Sequence, residues 1–144
     1  MKNSLIVEIS EGLGNQLFMY ANAFALADKK QINLLIDDTS GFYKKKNTLR
    51  GQRFLLNRFN INQKIAPNNL KSDTFFKYII KKLDFRFGIF KNINFYLNEK
   101  NILQNQYKKI SGLIDYDKID FFNNVFLKGN FEDEDYFKDY YKEL

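Results

Sequence analysis

Leu5-Ile6-Val7-Glu8-Ile9-Ser10-Glu11-Gly12-Leu13-Gly14-Asn15-Gln16-Leu17-Phe18 decides how this chain folds. The near-continuous apolar run over residues 4–9 predicts a strand buried on both faces, as in a parallel sheet. The two glycines behind it predict a hinged turn, and a helix is expected from Asn15 or Gln16 to residue 30. Along that helix Leu17, Tyr20, Ala21, Phe24 and Ala25 recur at helical spacing, with Asp28, Lys29 and Lys30 at its polar end. Residues 32–37, Ile32-Asn33-Leu34-Leu35-Ile36-Asp37, predict a second strand. Strand, helix and strand of these lengths make one βαβ unit of right-handed connection.

The turn inside that unit aims unpaired backbone N–H groups and the positive end of a helix at one point, which suits an anionic group such as a phosphate. Gly12 and Gly14 carry no Cβ, so a ligand can approach the backbone closely. Asn15 adds a short amide that can cap the helix or contact the ligand.

Further along, Thr39-Ser40-Gly41 closes the unit, and Lys44-Lys45-Lys46-Asn47 is expected to be a solvated loop. Arg53 to Phe59 predicts a short helix or turn with Phe54, Leu55 and Phe59 inward, and Pro67 marks a break. Phe75, Phe76, Ile79, Ile80 and Leu83 share one helical face, with Lys77, Lys81 and Lys82 largely off it. Such a helix either lies on a membrane or packs its apolar face on the sheet, and packing is the expectation. Phe85, Phe87, Phe90, Phe95 and Tyr96 supply core or interface mass, and Ile93, Phe95 and Leu97 alternate as a short strand does. Val125 to Gly129 predicts another strand and 133–143 a helix, with Glu132, Asp133, Glu134 and Asp135 at its start. One α/β unit over residues 1–144 accounts for the whole pattern.

Composition narrows the chemistry. With His 0 and Cys 0, any catalysis rests on carboxylates, lysines, tyrosines or backbone dipoles, and a transition-metal site is not expected. A net charge of +6 admits phosphate-bearing partners or an anionic membrane, but lysine is abundant throughout the chain. The lysines are scattered and no nucleic-acid-binding motif accompanies them, so no nucleic-acid partner is expected. A dinucleotide fingerprint is opposed by Leu17, which stands where GxGxxG needs its third glycine.

Gly12-Leu13-Gly14-Asn15-Gln16-Leu17-Phe18-Met19-Tyr20-Ala21, followed by Ala25-Leu26-Ala27, resembles the N-terminal signature of the α-1,2-fucosyltransferases, glycosyltransferase family eleven. That signature runs GGLGNQ-(M/L)-F-x-Y-A, and Glu11 here replaces its first glycine. Leu35 to Ser40 resembles the family's LLLDTS segment and Leu55 to Ile61 its L-x-x-F-x-I stretch. Phe126 to Phe131, with Tyr136-Phe137 behind, resembles its YLDGYFQSEKYF segment. The matches fall in family order, with a divergent middle.

The resemblance implies a Rossmann-like parallel-sheet N-terminal domain of a GT-B-type two-domain glycosyltransferase. It implies transfer of fucose from GDP-fucose to the 2-hydroxyl of a galactose in a surface glycan, with inversion and with no metal or cofactor. Gly12, Leu13, Gly14, Asn15 and Gln16 would contact the donor or the reacting sugar. The catalytic residue is not assigned. Asp37 and Asp38 are candidates for an acceptor hydroxyl or a base, although acids at strand ends more commonly cap turns.

The family's HxRRGD motif, whose arginines hold the diphosphate, is missing here, and the sequence stops at Leu144, shortly before that motif would be expected. The chain is therefore expected to be an N-terminal half (a truncated product, a frameshifted frame or an engineered fragment) with little or no activity alone. Its partners would be GDP-fucose, a galactose-containing acceptor and a C-terminal half in trans. It would be cytoplasmic, with at most peripheral contact at the inner membrane face. A non-catalytic α/β domain that associates with a partner chain is the alternative.

Overall fold

The computed structural model describes residues 3–45, 52–61, 64–87, 94–100, 102–121 and 124–142. Its centre is a four-stranded, all-parallel sheet built from β1 (Ser4–Glu8), β2 (Asn33–Asp37), β3 (Asn94–Asn98) and β4 (Asn124–Lys128). The strand order is β2-β1-β4-β3, so β1 and β4 are central, and all five residues of β1 are buried. Register follows the pleat: Ile6 lies between Leu35 and Phe126, and Val7 between Ile36 and Leu127. The α/β, Rossmann-like reading of the sequence is therefore the observed architecture.

Helix α1 (Leu13–Lys30) crosses back from β1 to β2. Met19, Ala23, Leu26 and Ala27 pack on Leu5, Val7, Ile9, Val125 and Leu127 in the main core. The connection from β3 to β4 covers the same sheet face, because it moves in the same direction and is also right-handed. It brings Ile114 and Ile119 into that core. The connection from β2 to β3 runs the opposite way and covers the other face, where Ala66, Leu70 and Leu35 meet Ile6, Phe126 and Tyr96. Along the outer edge of β2, the Ile36 N–H donates to the Lys64 carbonyl and the Ala66 N–H to the Ile36 carbonyl, both at 2.8 Å. This single bridge pairs the outward N–H and carbonyl of Ile36 on that edge.

Several elements depart from the sequence reading. The helix starts two residues early, with Gly12 at its N-cap and no side-chain cap, so Asn15 lies inside the first turn and does not cap it. Leu17 is exposed, whereas Ala21 and Ala25 on another stripe pack on Phe137. That second contact makes the helix buried on two sides, which blurs a one-face pattern. Residues 133–142 do not form an α-helix but the 3₁₀ turns Glu134–Tyr136 and Lys138–Tyr140. Phe131, Phe137 and Tyr140 fold that segment back onto α1, and tertiary packing overrides the acidic helix-start signal. Phe59 faces outward, and Leu56 is the residue of that turn which is wholly buried.

The largest departure concerns α2 (Phe75–Phe87). Its apolar face does not pack on the sheet. Phe75, Phe76, Ile80 and Phe87 are 52–77% exposed, while Lys77, Tyr78, Lys81 and Asp84 turn inward. Residues 46 and 47 of the lysine loop, together with Phe90 and Ile93, lie outside the described residues.

Candidate functional site

Parallel α/β sheets place ligands at the carboxyl ends of their strands. Two features lie along that edge in this chain. One is the loop from β1 into α1. Gly12, Leu13 and Gly14 are exposed, Asn15 is half-buried, and Gln16 is fully buried. The first intrahelical bond runs from the Gln16 N–H to the Gly12 carbonyl at 3.0 Å, so the N–H groups of Leu13, Gly14 and Asn15 have no carbonyl one turn earlier.

The fold does not ask for glycine at either position. Gly12 has a φ of −76°, which any residue adopts, and Gly14 is helical. A Cβ built on either one meets nothing within 4 Å. Glycine costs roughly 1 kcal/mol against alanine within a helix. What these glycines provide is a bare backbone facing solvent.

Gln16 differs from the expectation of a ligand contact. Its Nε2 donates to the Glu11 and Arg53 carbonyls and its Oε1 accepts from the Leu55 N–H, each at 2.9 Å. The side chain latches the 53–55 segment to the glycine turn, and its contribution to the loop is structural. Glu11, preceding Gly12, has a φ of 64°, the left-handed region that favours glycine. Its carboxylate accepts from Gln52 Nε2 at 3.3 Å. Gly41 does require its missing side chain: a Cβ there would lie 2.6 Å from Ser10 Cβ and collide with the Ile9 carbonyl.

The second feature is a cleft of about 290 Å³ between α2 and the sheet face that bears Ile6, Tyr96 and Phe126. Glu8, the last residue of β1, lies within it and is 8% exposed. Its two oxygens are bracketed by Lys128 Nζ at 2.6 Å and Lys81 Nζ at 3.0 Å. Burial alone would raise the Glu8 pKa, but the two ammonium groups outweigh it and hold the carboxyl below its ordinary value. Lys81 also lies 5.2 Å over the Phe126 ring, and Tyr96 stacks on Phe126 with centroids 5.0 Å apart. Ser40, Ser72, Asn98 and Lys82 complete the wall. Against one carboxylate the cleft thus sets three ammonium groups, hydroxyls and an aromatic floor. This combination suits a ligand that carries both phosphate and an apolar or planar part.

Glu8 is the residue that sequence reasoning passed over. Its signal was present: an acid inside a strand buried on both faces must have cationic partners. Lys128 and Lys81 are those partners. Asp37 acts as a turn cap, with Oδ1 accepting from the Thr39 and Ser40 N–H groups at 3.2 and 2.9 Å. Asp38 pairs with Lys71 at 2.6 Å. Among the described residues no three His, Cys, Asp or Glu side chains converge as metal ligands. No protein-family profile, curated protein sequence or solved structure matches this chain.

Proposed function

We propose that this chain is the N-terminal α/β part of a GT-B-type glycosyltransferase of the α-1,2-fucosyltransferase kind, and that it presents Gly12–Asn15 to a GDP-fucose diphosphate. The observation that carries the reading is the pair of glycines that the fold does not need, exposed at the start of α1. Amide donors there would stabilise negative charge as GDP departs. In the transfer itself, the C1–O bond of fucose breaks with its electron pair going to the phosphate. The galactose 2-hydroxyl oxygen bonds to C1 from the opposite face, and its proton passes to a basic oxygen, of a carboxylate or of the departing phosphate. Glu8, kept ionised by its lysines, would be a hydrogen-bond acceptor for a sugar hydroxyl in the cleft beneath α2. No histidine is present to act as base, and the arginines expected to hold most of the diphosphate charge belong to the missing motif.

The test is calorimetric titration with GDP-fucose, run beside a turnover assay with a galactoside acceptor. Weak, salt-sensitive binding without turnover is the expected result. Robust turnover by the isolated chain would refute the half-enzyme reading, and no binding at millimolar donor would refute the donor role. The alternative, a non-catalytic domain that associates with a partner chain, draws support from the exposed face of α2.

A further inference from the structure

We infer that α2 is an in-plane membrane anchor for an anionic lipid surface, independent of the donor reading. The helix is mounted by its polar side. Lys77 bonds Asp73 and the Asn68 carbonyl at 2.9 Å, Lys81 reaches Glu8, and Tyr78 stacks on Tyr43 with centroids 6.0 Å apart. These contacts turn Phe75, Phe76, Ile79, Ile80, Leu83 and Phe87 outward on one side, each at least 37% exposed. A contiguous apolar face of this kind on a soluble domain is an interaction surface.

Charge selects the occupant. Lys82 and Arg86, one turn apart, are both exposed along the edge of the apolar stripe, and the Arg86 guanidinium lies 5.6 Å from the Phe87 ring centroid. Lys77 and Lys81 are turned away from the stripe, onto Asp73 and Glu8. The single carboxylate of the helix, Asp84, is 2% exposed and faces away from the stripe. An apolar stripe with one cationic edge, Lys82 and Arg86, and no exposed acid within the helix matches lipid headgroups that bear negative charge. A second copy of the chain would offer no carboxylate on this face to pair with Lys82 and Arg86. The helix spans about 20 Å, and no helix among the described residues is long and apolar enough to cross a membrane, so α2 would lie along the surface.

Co-sedimentation of the full chain with vesicles tests this inference. Phosphatidylcholine vesicles containing phosphatidylglycerol should bind the protein, and phosphatidylcholine alone should bind it about tenfold more weakly. Lys82→Glu with Arg86→Glu should remove about tenfold or more of the anionic binding, and added salt should act in the same direction. Ile80→Asp with Leu83→Asp, all-exposed changes that spare the core, should abolish binding while the thermal transition is retained. Equal binding to both vesicle types, or none to the anionic ones, would overturn the inference. So would a concentration-dependent dimer that Ile80→Asp dissolves, since a second copy would then own the face.

Discussion

Glu8 Oε1 and Lys128 Nζ lie 2.6 Å apart across the centre of the sheet, one step beyond the Val7–Leu127 register pair. The two residues end the two central strands, so this ion pair lies in the cleft at the sheet's carboxyl edge. The lysines hold the Glu8 pKa down, so its contribution to stability is present above the ordinary carboxyl value of 4.5 and is lost as pH falls through the lowered one. Replacing Lys81 and Lys128 by Met keeps their aliphatic stems and leaves burial unopposed. In that variant the Glu8 pKa should rise above 4.5, and its contribution should then fade with rising pH. Carbon NMR titration of the Glu8 carboxyl reads both directions; an unmoved pKa would mean that the lysines are not its effective partners.

Gln16 supplies three hydrogen bonds from a fully buried side chain, and two carbonyls and one N–H lose their partner if it is removed. Gln16→Ala should cost about 3 kcal/mol in denaturant unfolding. Hydrogen exchange at Leu55 should accelerate with it. Gln16→Glu, which sets a buried carboxyl oxygen against the Glu11 and Arg53 carbonyls, should cost at least as much.

Glu11 holds a backbone angle that disfavours any side chain. Glu11→Gly should stabilise the chain by about 0.5–1 kcal/mol, the relieved left-handed strain less the extra entropy of glycine when unfolded. Chemical denaturation checks the sign. Loss of stability would show that the bond to Gln52 outweighs the strain.

Alkali should unfold the protein through two tyrosines. Burial raises the Tyr116 pKa well above its ordinary value, and burial pushes Tyr136 up to about 12. A phenol whose folded pKa is raised contributes stability fully below about pH 10, and that contribution disappears as pH rises toward the folded value. Tyr136→Phe should shrink the loss of stability above pH 10, at the cost of the bond its oxygen accepts from the Ile114 N–H at 3.1 Å. The pH dependence of urea midpoints, with phenolate absorbance recorded alongside, measures this.

Much of this structure was legible in the sequence. The run from Leu5 to Ile9, the glycine turn and Leu34 to Asp37 specify their elements locally, and the βαβ unit follows. Val125 to Leu127 cluster strongly enough to declare their strand, whereas the alternation of Phe95 and Leu97 only suggests β3 within a stretch, 84–124, whose fold the pattern leaves open. What stayed hidden depends on distant contacts. Residues 133–142 carry a helix-start signature, yet Phe131, Phe137 and Tyr140 gain more by packing on α1 than by completing a helix. The α2 pattern was read correctly as an amphipathic helix, but a pattern does not say which face turns inward. Here Lys81 decides, because Glu8 needs its charge. The glycine loop was visible as a motif. That its glycines are dispensable to the fold could only be learned from the space around them.

Gly14 offers the most direct trial of the central claim. A methyl there meets nothing in the protein, so Gly14→Ala should leave the fold intact or stabilise it by about 0.5 kcal/mol. If the bare backbone exists to receive a diphosphate, titration of GDP into the variant should show affinity about tenfold or more below that of the unaltered chain. Equal affinity for GDP in the two proteins would contradict the account.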